Sequence, residues 1–270
     1  MLEHVAAELS DRLAAVLRDF EIAVALGWPA GTPGLPAGVT NVGAVIAVRA
    51  DAALLGAQGL RVVADEETLP FRDSSLDLVV SMLSLQFVND LPGVLLQIRR
   101  ALKPDGLFLA ALVGGESLGE LRQAFAAAEA EIEGGVSPRV SPLVELRDAG
   151  ALLQRAGFAL PVADIDRLTV RYDSAFGLMR DLRHMGATNI LLERRRTPLK
   201  RATLARMAEI YQKTFADADG RIRATFEIVW LSGWAPHASQ QKPLRPGSAA
   251  ARLADVLGAQ EIPAGEKAGH

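Results

Sequence analysis

The sequence predicts a doubly wound, mostly parallel α/β domain, and three observations carry that expectation. Short aliphatic runs alternate with helix-period segments about four or five times over residues 1–115. The run LDLVVSM at residues 76–82 is apolar almost throughout, as a strand covered on both faces should be. Half of the 270 residues are hydrophobic, enough for one large core.

The elements follow in order. Residues 3–19 are expected as an amphipathic helix with Leu9, Leu13, Val16 and Leu17 on one face. FEIAVAL at 20–26 reads as a buried strand, followed by a proline- and glycine-rich turn. Residues 41–50 and 59–64 are the next strands, with a short helix between them. The segment from Asp65 to Phe71 is a loop, and 76–82 is the fourth strand. A helix spans 90–102 with Pro92 in its first turn, Lys103-Pro104-Asp105-Gly106 is a turn, and 107–113 is the fifth strand. Helices are then expected at 117–133, stopped by Gly134-Gly135, and at 142–156. A strand follows at 161–172. Residues 174–216 are expected to be helical, broken at 186–189 and at Thr197-Pro198, and the last strand lies at 224–231. This organisation places a domain at 1–235, an insertion at 174–216, and a flexible tail, rich in Pro, Gly, Ala and Ser, at 236–270.

Composition excludes several function classes. The chain has no cysteine, so thiol nucleophiles, disulfides and zinc–thiolate sites are out. The four histidines show no metal-ligand spacing, so no metal site is expected. A net charge of −3 argues against nucleic acid as a partner. The basic run at Arg194–Arg196 with Lys200 and Arg201 reads as a solvated helix end, or alternatively as a docking patch for an acidic protein. No stretch reaches the ~18 uninterrupted apolar residues of a membrane span, and the N-terminus lacks a signal-peptide pattern. The expected location is cytoplasmic.

VVADEETLPFRDSSLDLVVSMLSLQFVNDLPGVLLQIRRALKPDGLF, from Val62 to Phe108, resembles the central motifs of class I S-adenosylmethionine-dependent methyltransferases. LSLQFVNDLP at 83–92, GGESLGELR at 114–122, GGVSP at 134–138 and DLRHMGATN at 181–189 narrow the resemblance. They are similar to mitochondrial complex I assembly factor 5 and its bacterial relatives, with BioC-type methyltransferases as cousins. The resemblance covers roughly residues 10–240. It implies a Rossmann-like methyltransferase sheet of seven strands with a helical insertion before the last, and a protein partner in respiratory complex I. Relatives carry a segment ahead of the first helix, whereas here Met1 leads almost directly into it.

The resemblance also assigns cofactor residues: Gly27 and Gly31 in the loop after the first strand, Asp65 and Glu66 after the third, and Ser81 at the end of the fourth. In such a loop an acid precedes G-x-G-x-G, because glycines let the backbone approach the ligand closely. Here Ala25 stands in the acid's place and Pro29, which has no N–H, in that of the middle glycine. The acid expected at the end of the second strand falls near Val48 and Arg49. Asp51, the nearest carboxylate, reads as a helix cap. Asp65 and Glu66 read equally as loop caps. Each charge-assisted hydrogen bond contributes about 1.5–3 kcal/mol, so two lost acids cost about two to four decades of affinity. S-adenosylmethionine is therefore expected to bind weakly or not at all.

Gln86, Asn89 and His184 are the candidates for substrate or partner contact, and no catalytic base is assigned. Three readings stay open: a methyltransferase-like protein acting on or binding a partner in complex I assembly, a non-catalytic assembly chaperone on the same fold, and a protein arginine hydroxylase, which rests on resemblance alone. Whether the chain is an enzyme is left open.

Overall fold

The fold is described from a computed structural model. It describes residues 1–27, 35, 39, 41–55, 59–241 and 258. Residues Met1–Pro236 make one compact unit and His237–His270 a second. In the second, His237 Nδ1 lies 2.7 Å from Ser239 Oγ.

The first unit is built on seven strands: β1 (Phe20–Leu26), β2 (Val42–Arg49), β3 (Leu60–Val63), β4 (Leu76–Met82), β5 (Leu102–Val113), β6 (Ala159–Tyr172) and β7 (Ile222–Trp234). They lie in the order β3-β2-β1-β4-β5-β7-β6, and β7 is antiparallel to both of its neighbours. The other pairs, from β3 through β5, are parallel. Six helices accompany them: α1 (Leu2–Ala14), α2 (Leu91–Ala101), α3 (Gly119–Glu133), α4 (Leu146–Arg155), α5 (Ala175–His184) and α6 (Arg201–Phe215).

Period-2 alternation divides the central strands between two cores. Val24 and Leu26 of β1 and Val79 of β4 face one layer with Leu95 and Ile98 of α2 and Leu153 of α4. Ala23 and Ala25 of β1 and Leu78 and Val80 of β4 face the other, with Val5, Leu9 and Leu13 of α1. A third core joins α3, α5 and α6 to the start of β7 through Phe125, Leu178, Met207 and Tyr211. The Tyr211 hydroxyl donates to the Arg223 carbonyl at 2.8 Å, which satisfies it inside that core.

The expected elements are found, the short helix after β2 only as the 3-10 turn Ala52–Leu54, and several differ in extent. α1 ends at Ala14, and Leu17 is 99% exposed because the chain has already turned toward β1. Residues 185–200 are not helical, so the break before α6 is wider than expected. α4 starts at Leu146, leaving Pro142 outside the helix. β5 is assigned from Leu102 through the Lys103–Gly106 turn, whose Asp105 has φ +67° and which forms a register irregularity against β4.

α2 begins as its sequence requires. Asp90 caps it by accepting from the Gly93 N–H at 2.9 Å, with Pro92 in the first turn. α5 is capped in the same way by Ser174, which accepts from the Gly177 N–H.

Candidate functional site

In an open parallel sheet the ligand crevice lies beyond the carboxyl ends of the strands, where the order reverses, which here is between β1 and β4. Gly27 closes β1 there with φ +60°, and its N–H reaches the Val48 carbonyl at 3.1 Å. A β-carbon on Gly27 would lie 2.1 Å from Ser84 Cβ and 3.2 Å from Glu66 Oε1. The glycine therefore admits two side chains of the protein itself. Ser81 is fully buried at the end of β4, with its Oγ 2.9 Å from Ser84 Oγ.

Ala25 is fully buried inside an apolar layer and offers no carboxylate. Arg49 ends β2, half-buried. Burial pushes its guanidinium pKa down, and the nearby Glu66 carboxylate opposes that. Asp51 caps the short 3-10 turn Ala52–Leu54 by accepting from the Ala53 N–H at 2.9 Å. Asp65 accepts from the Glu67 N–H at 2.9 Å, an Asx turn that holds its own loop. Gly27, Glu66 and Ser81 thus come together, Asp65 stands at the rim, and Gly31, Trp28 and Pro29 lie outside the described residues. The resemblance expects a carboxylate at the end of each of the first two strands; among the described residues β1 carries the methyl of Ala25 there and β2 the Arg49 guanidinium.

On the other side of the β4 turn a cavity of about 510 Å³ opens. Its wall is mainly apolar, with Leu83, Phe87, Val113, Leu121 and Phe226 among the lining residues. Two of them, Leu83 and Leu118, are non-glycine residues in the left-handed region, at φ +56° and +57°. Such conformations cost of order 1–3 kcal/mol each and gather where function over-determines the backbone.

Gln86 lines this cavity, and its Nε2 donates to the Leu83 carbonyl at 2.7 Å. Its Oε1 is closed off from solvent and has no partner among the described residues. Asn89 turns away and is exposed, donating to Glu67 Oε1 from both its backbone N–H and its Nδ2. His184 ends α5 exposed and does not line the cavity, although Leu182 and Met185 beside it do.

Arg139 also lines the cavity. Its guanidinium is paired with the buried Glu129 and stacks 5.7 Å from the Phe125 ring centre. Burial pushes the Glu129 carboxyl up. The Ser137 N–H, the Arg139 guanidinium and the Ser137 hydroxyl outweigh it, so the group ends below its ordinary value. Neither residue was singled out from the sequence. The Ser137-Pro138-Arg139 run carries a hint, but its partner lies ten residues back on α3 and only the loop closure brings them together. In the basic run, Arg195 and Lys200 pair with Glu133, and Arg194 reaches the Leu191 carbonyl.

A family described as "Methyltransferase domain" matches residues 38–110. The mouse protein "Arginine-hydroxylase NDUFAF5, mitochondrial" is 39% identical over 271 residues, covering 98% of this chain and 79% of that protein. The chain belongs to the NDUFAF5 family. The zebrafish NDUFAF5 is 47% identical over 195 residues, 72% of this chain and 60% of that protein, so the match spans less than two thirds of its length. A "Malonyl-[acyl-carrier protein] O-methyltransferase" from Xylella fastidiosa is 42% identical over 175 residues, 65% of this chain and 57% of that protein. Among solved structures, the YcgJ protein of a Bacillus superposes with a TM-score of 0.56 at 15% identity, over 87% of this chain and 99% of that one, and shows the fold alone.

The class I methyltransferase fold expected from the sequence is thus the fold of an NDUFAF5-family chain, with the malonyl-carrier methyltransferases as further relatives. The expected cytoplasmic location is corrected: the NDUFAF5 relatives are named as mitochondrial. No helix among the described residues is long and apolar enough to cross a membrane.

Proposed function

We propose that this chain serves respiratory complex I assembly by receiving a protein partner at the apolar cavity, with S-adenosylmethionine held weakly or not at all. The observation that carries the cofactor half is Arg49 at the end of β2, together with the buried methyl of Ala25. Two charge-assisted contacts are replaced, one by nothing and one by a guanidinium, which has no acceptor to offer the ribose hydroxyls. The partner half rests on family membership, with the complex I subunit taken from the assembly-factor resemblance. The name arginine-hydroxylase carried by the relatives makes an arginine side chain the first group to test on that partner.

The test is calorimetric titration with S-adenosylmethionine and S-adenosylhomocysteine. Dissociation constants of a millimolar order or weaker are expected, and micromolar binding would overturn the reading. A second reading, active methyl transfer, draws on Gly27 in its left-handed turn, on Glu66 beside it and on Ser81, which meets the adjoining Ser84. Micromolar binding in the same titration would turn the choice toward it.

A further inference from the structure

We infer that the crevice at the end of β2 takes an adenine nucleoside phosphorylated on its ribose 2′ or 3′ hydroxyl, with Arg49 receiving the phosphate. This rests on the reading that S-adenosylmethionine is held there weakly at best. The fold fixes the place. In a doubly wound sheet the end of the second strand meets the ribose of a bound nucleotide. A carboxylate there accepts from free hydroxyls, whereas an arginine accommodates a phosphate carried on them. β2 ends in Arg49, directly after the fully buried Val48. Hydrogen bonds hold the backbone on both sides. The Gly27 N–H donates to the Val48 carbonyl at 3.1 Å, and the Ala64 N–H donates to the Arg49 carbonyl at 3.0 Å. Arg49 is thereby fixed between the turn that closes β1 and the loop that follows β3.

Two half-buried groups of opposite charge stand at this crevice, the Arg49 guanidinium and the Glu66 carboxylate beside Gly27. Among the described residues neither side chain makes a hydrogen bond or an ion pair. They act on each other only through space: burial pushes the Arg49 pKa down, and the Glu66 charge opposes that. A charge drawn partly out of water without a partner is costly, and a ligand bearing one anion and one donor offsets both costs. A guanidinium meets phosphate oxygens two at a time, which a sugar hydroxyl cannot match. Glu66 accepts from an amino or hydroxyl group of the nucleoside. Arg61 of β3 lies level with Ala47, two residues before Arg49, so a second cation shares the same face of the sheet edge. S-adenosylmethionine carries its carboxylate at the far end from the ribose hydroxyls and brings no anion to Arg49.

Full-length protein is titrated calorimetrically with adenosine, its 2′-, 3′- and 5′-monophosphates, and inorganic phosphate. The 2′ or the 3′ isomer is expected to bind about ten-fold or more ahead of adenosine and of the 5′ isomer. A lead by the 2′ isomer points to a 2′-phosphorylated dinucleotide as the source, and a lead by the 3′ isomer to an adenosine 3′,5′-bisphosphate. Arg49→Met should bring the leading isomer down to the level of adenosine while leaving adenosine within about two-fold, a split that a merely structural role would not produce. Thermal melts check the fold. Should that variant not fold, Arg49→Gln removes the charge with a polar side chain and carries the same expectation. Equal binding of the three isomers, a lead by the 5′ isomer, or inorganic phosphate binding as tightly as the leading isomer overturns the inference. So does a preference unchanged in the folded variant, or the absence of binding at millimolar nucleotide. Micromolar S-adenosylmethionine binding would overturn the weak-cofactor reading, and the isomer preference with its loss in Arg49→Met would still decide this one.

Discussion

The two sides of the turn after β4 have fared differently. On the side toward β1 and β2, Gly27 turns near the buried Ser81, and the strand ends carry Ala25 and Arg49, which under the proposed function take the place of cofactor carboxylates. On the side toward β5 and α3, the cavity keeps its apolar wall, two left-handed leucines and a closed ion pair between Glu129 and Arg139. Among the described residues, Gly27 keeps a left-handed turn on one side and Leu83 and Leu118 keep one on the other, while the strand ends beside Gly27 carry a methyl and a guanidinium. A sheet needs its hydrogen bonds and its apolar layers to fold, and neither depends on which charges stand at the strand ends. The difference therefore separates what the fold requires from what a ligand requires.

The largest effect should come from a residue shared by both sides. Leu85 is 1% exposed, in the 3-10 turn Leu85–Phe87 between the two regions, and packs in the core with Val24, Leu26 and Val94. Leu85→Ala should cost about 2–5 kcal/mol of stability in denaturant unfolding and weaken ligand binding on both sides. Loss on one side only would show that the two regions are held independently.

Gly27→Ala comes next. The backbone at φ +60° costs an alanine of order 1–3 kcal/mol, and its β-carbon would overlap Ser84. Ser84→Gly in the same chain should return the steric part and leave the backbone part. A double-mutant cycle showing no coupling would mean that Ser84 does not fill the space beneath the glycine.

Arg49→Asp probes the altered side alone. It removes a cation and restores an acid at the end of β2, and affinity for S-adenosylhomocysteine should rise about ten-fold or more. Unchanged calorimetric affinity for the nucleoside would place the weakness elsewhere in the β1 loop.

How much of this was legible in the sequence differs by kind of feature. The strands were plain because residues buried on both faces must be apolar, as in LDLVVSM. Ala25 and the Val48–Arg49 pair could be assigned to strand ends because the runs FEIAVAL and NVGAVIAVRA fix where β1 and β2 stop. Helix ends were read too long. Periodicity alone continues α1 to Leu17, while the helix ends at Ala14, beyond which Val16 still packs on the core and Leu17 is exposed. At the cavity, Gln86 was named but its unmet acceptor was not, since that depends on the fold of the Leu83 turn. Glu129 and Arg139 were missed because a pair ten residues apart meets only through a loop whose path no local pattern specifies. Asn89 and His184 stood near the right elements but on their exposed sides.

The smallest effect lies in the α3–α6 support behind the cavity. Glu133, the last residue of α3, accepts from Thr203 Oγ1 at 2.6 Å and pairs with Lys200 at 2.8 Å and Arg195 at 3.1 Å. A carboxylate at a helix C-terminus is disfavoured by the helix dipole, and these cations offset that. Lys200 first, then Thr203 and Arg195, pull the Glu133 carboxyl down to about 2. An unfolded glutamate titrates near ~4.3, so the folded state holds its proton less tightly than the unfolded chain. The stabilising contribution is fully present above that value and is lost as pH falls through about 2. Thermal melts between roughly pH 5 and pH 2 should show a steeper loss of stability in the natural chain than in Glu133→Gln, whose neutral amide does not titrate. Equal slopes would mean that the three partners hold Glu133 no better when it is charged, and that the join of α3 to α6 rests on Met207 and Tyr211 in the apolar core instead.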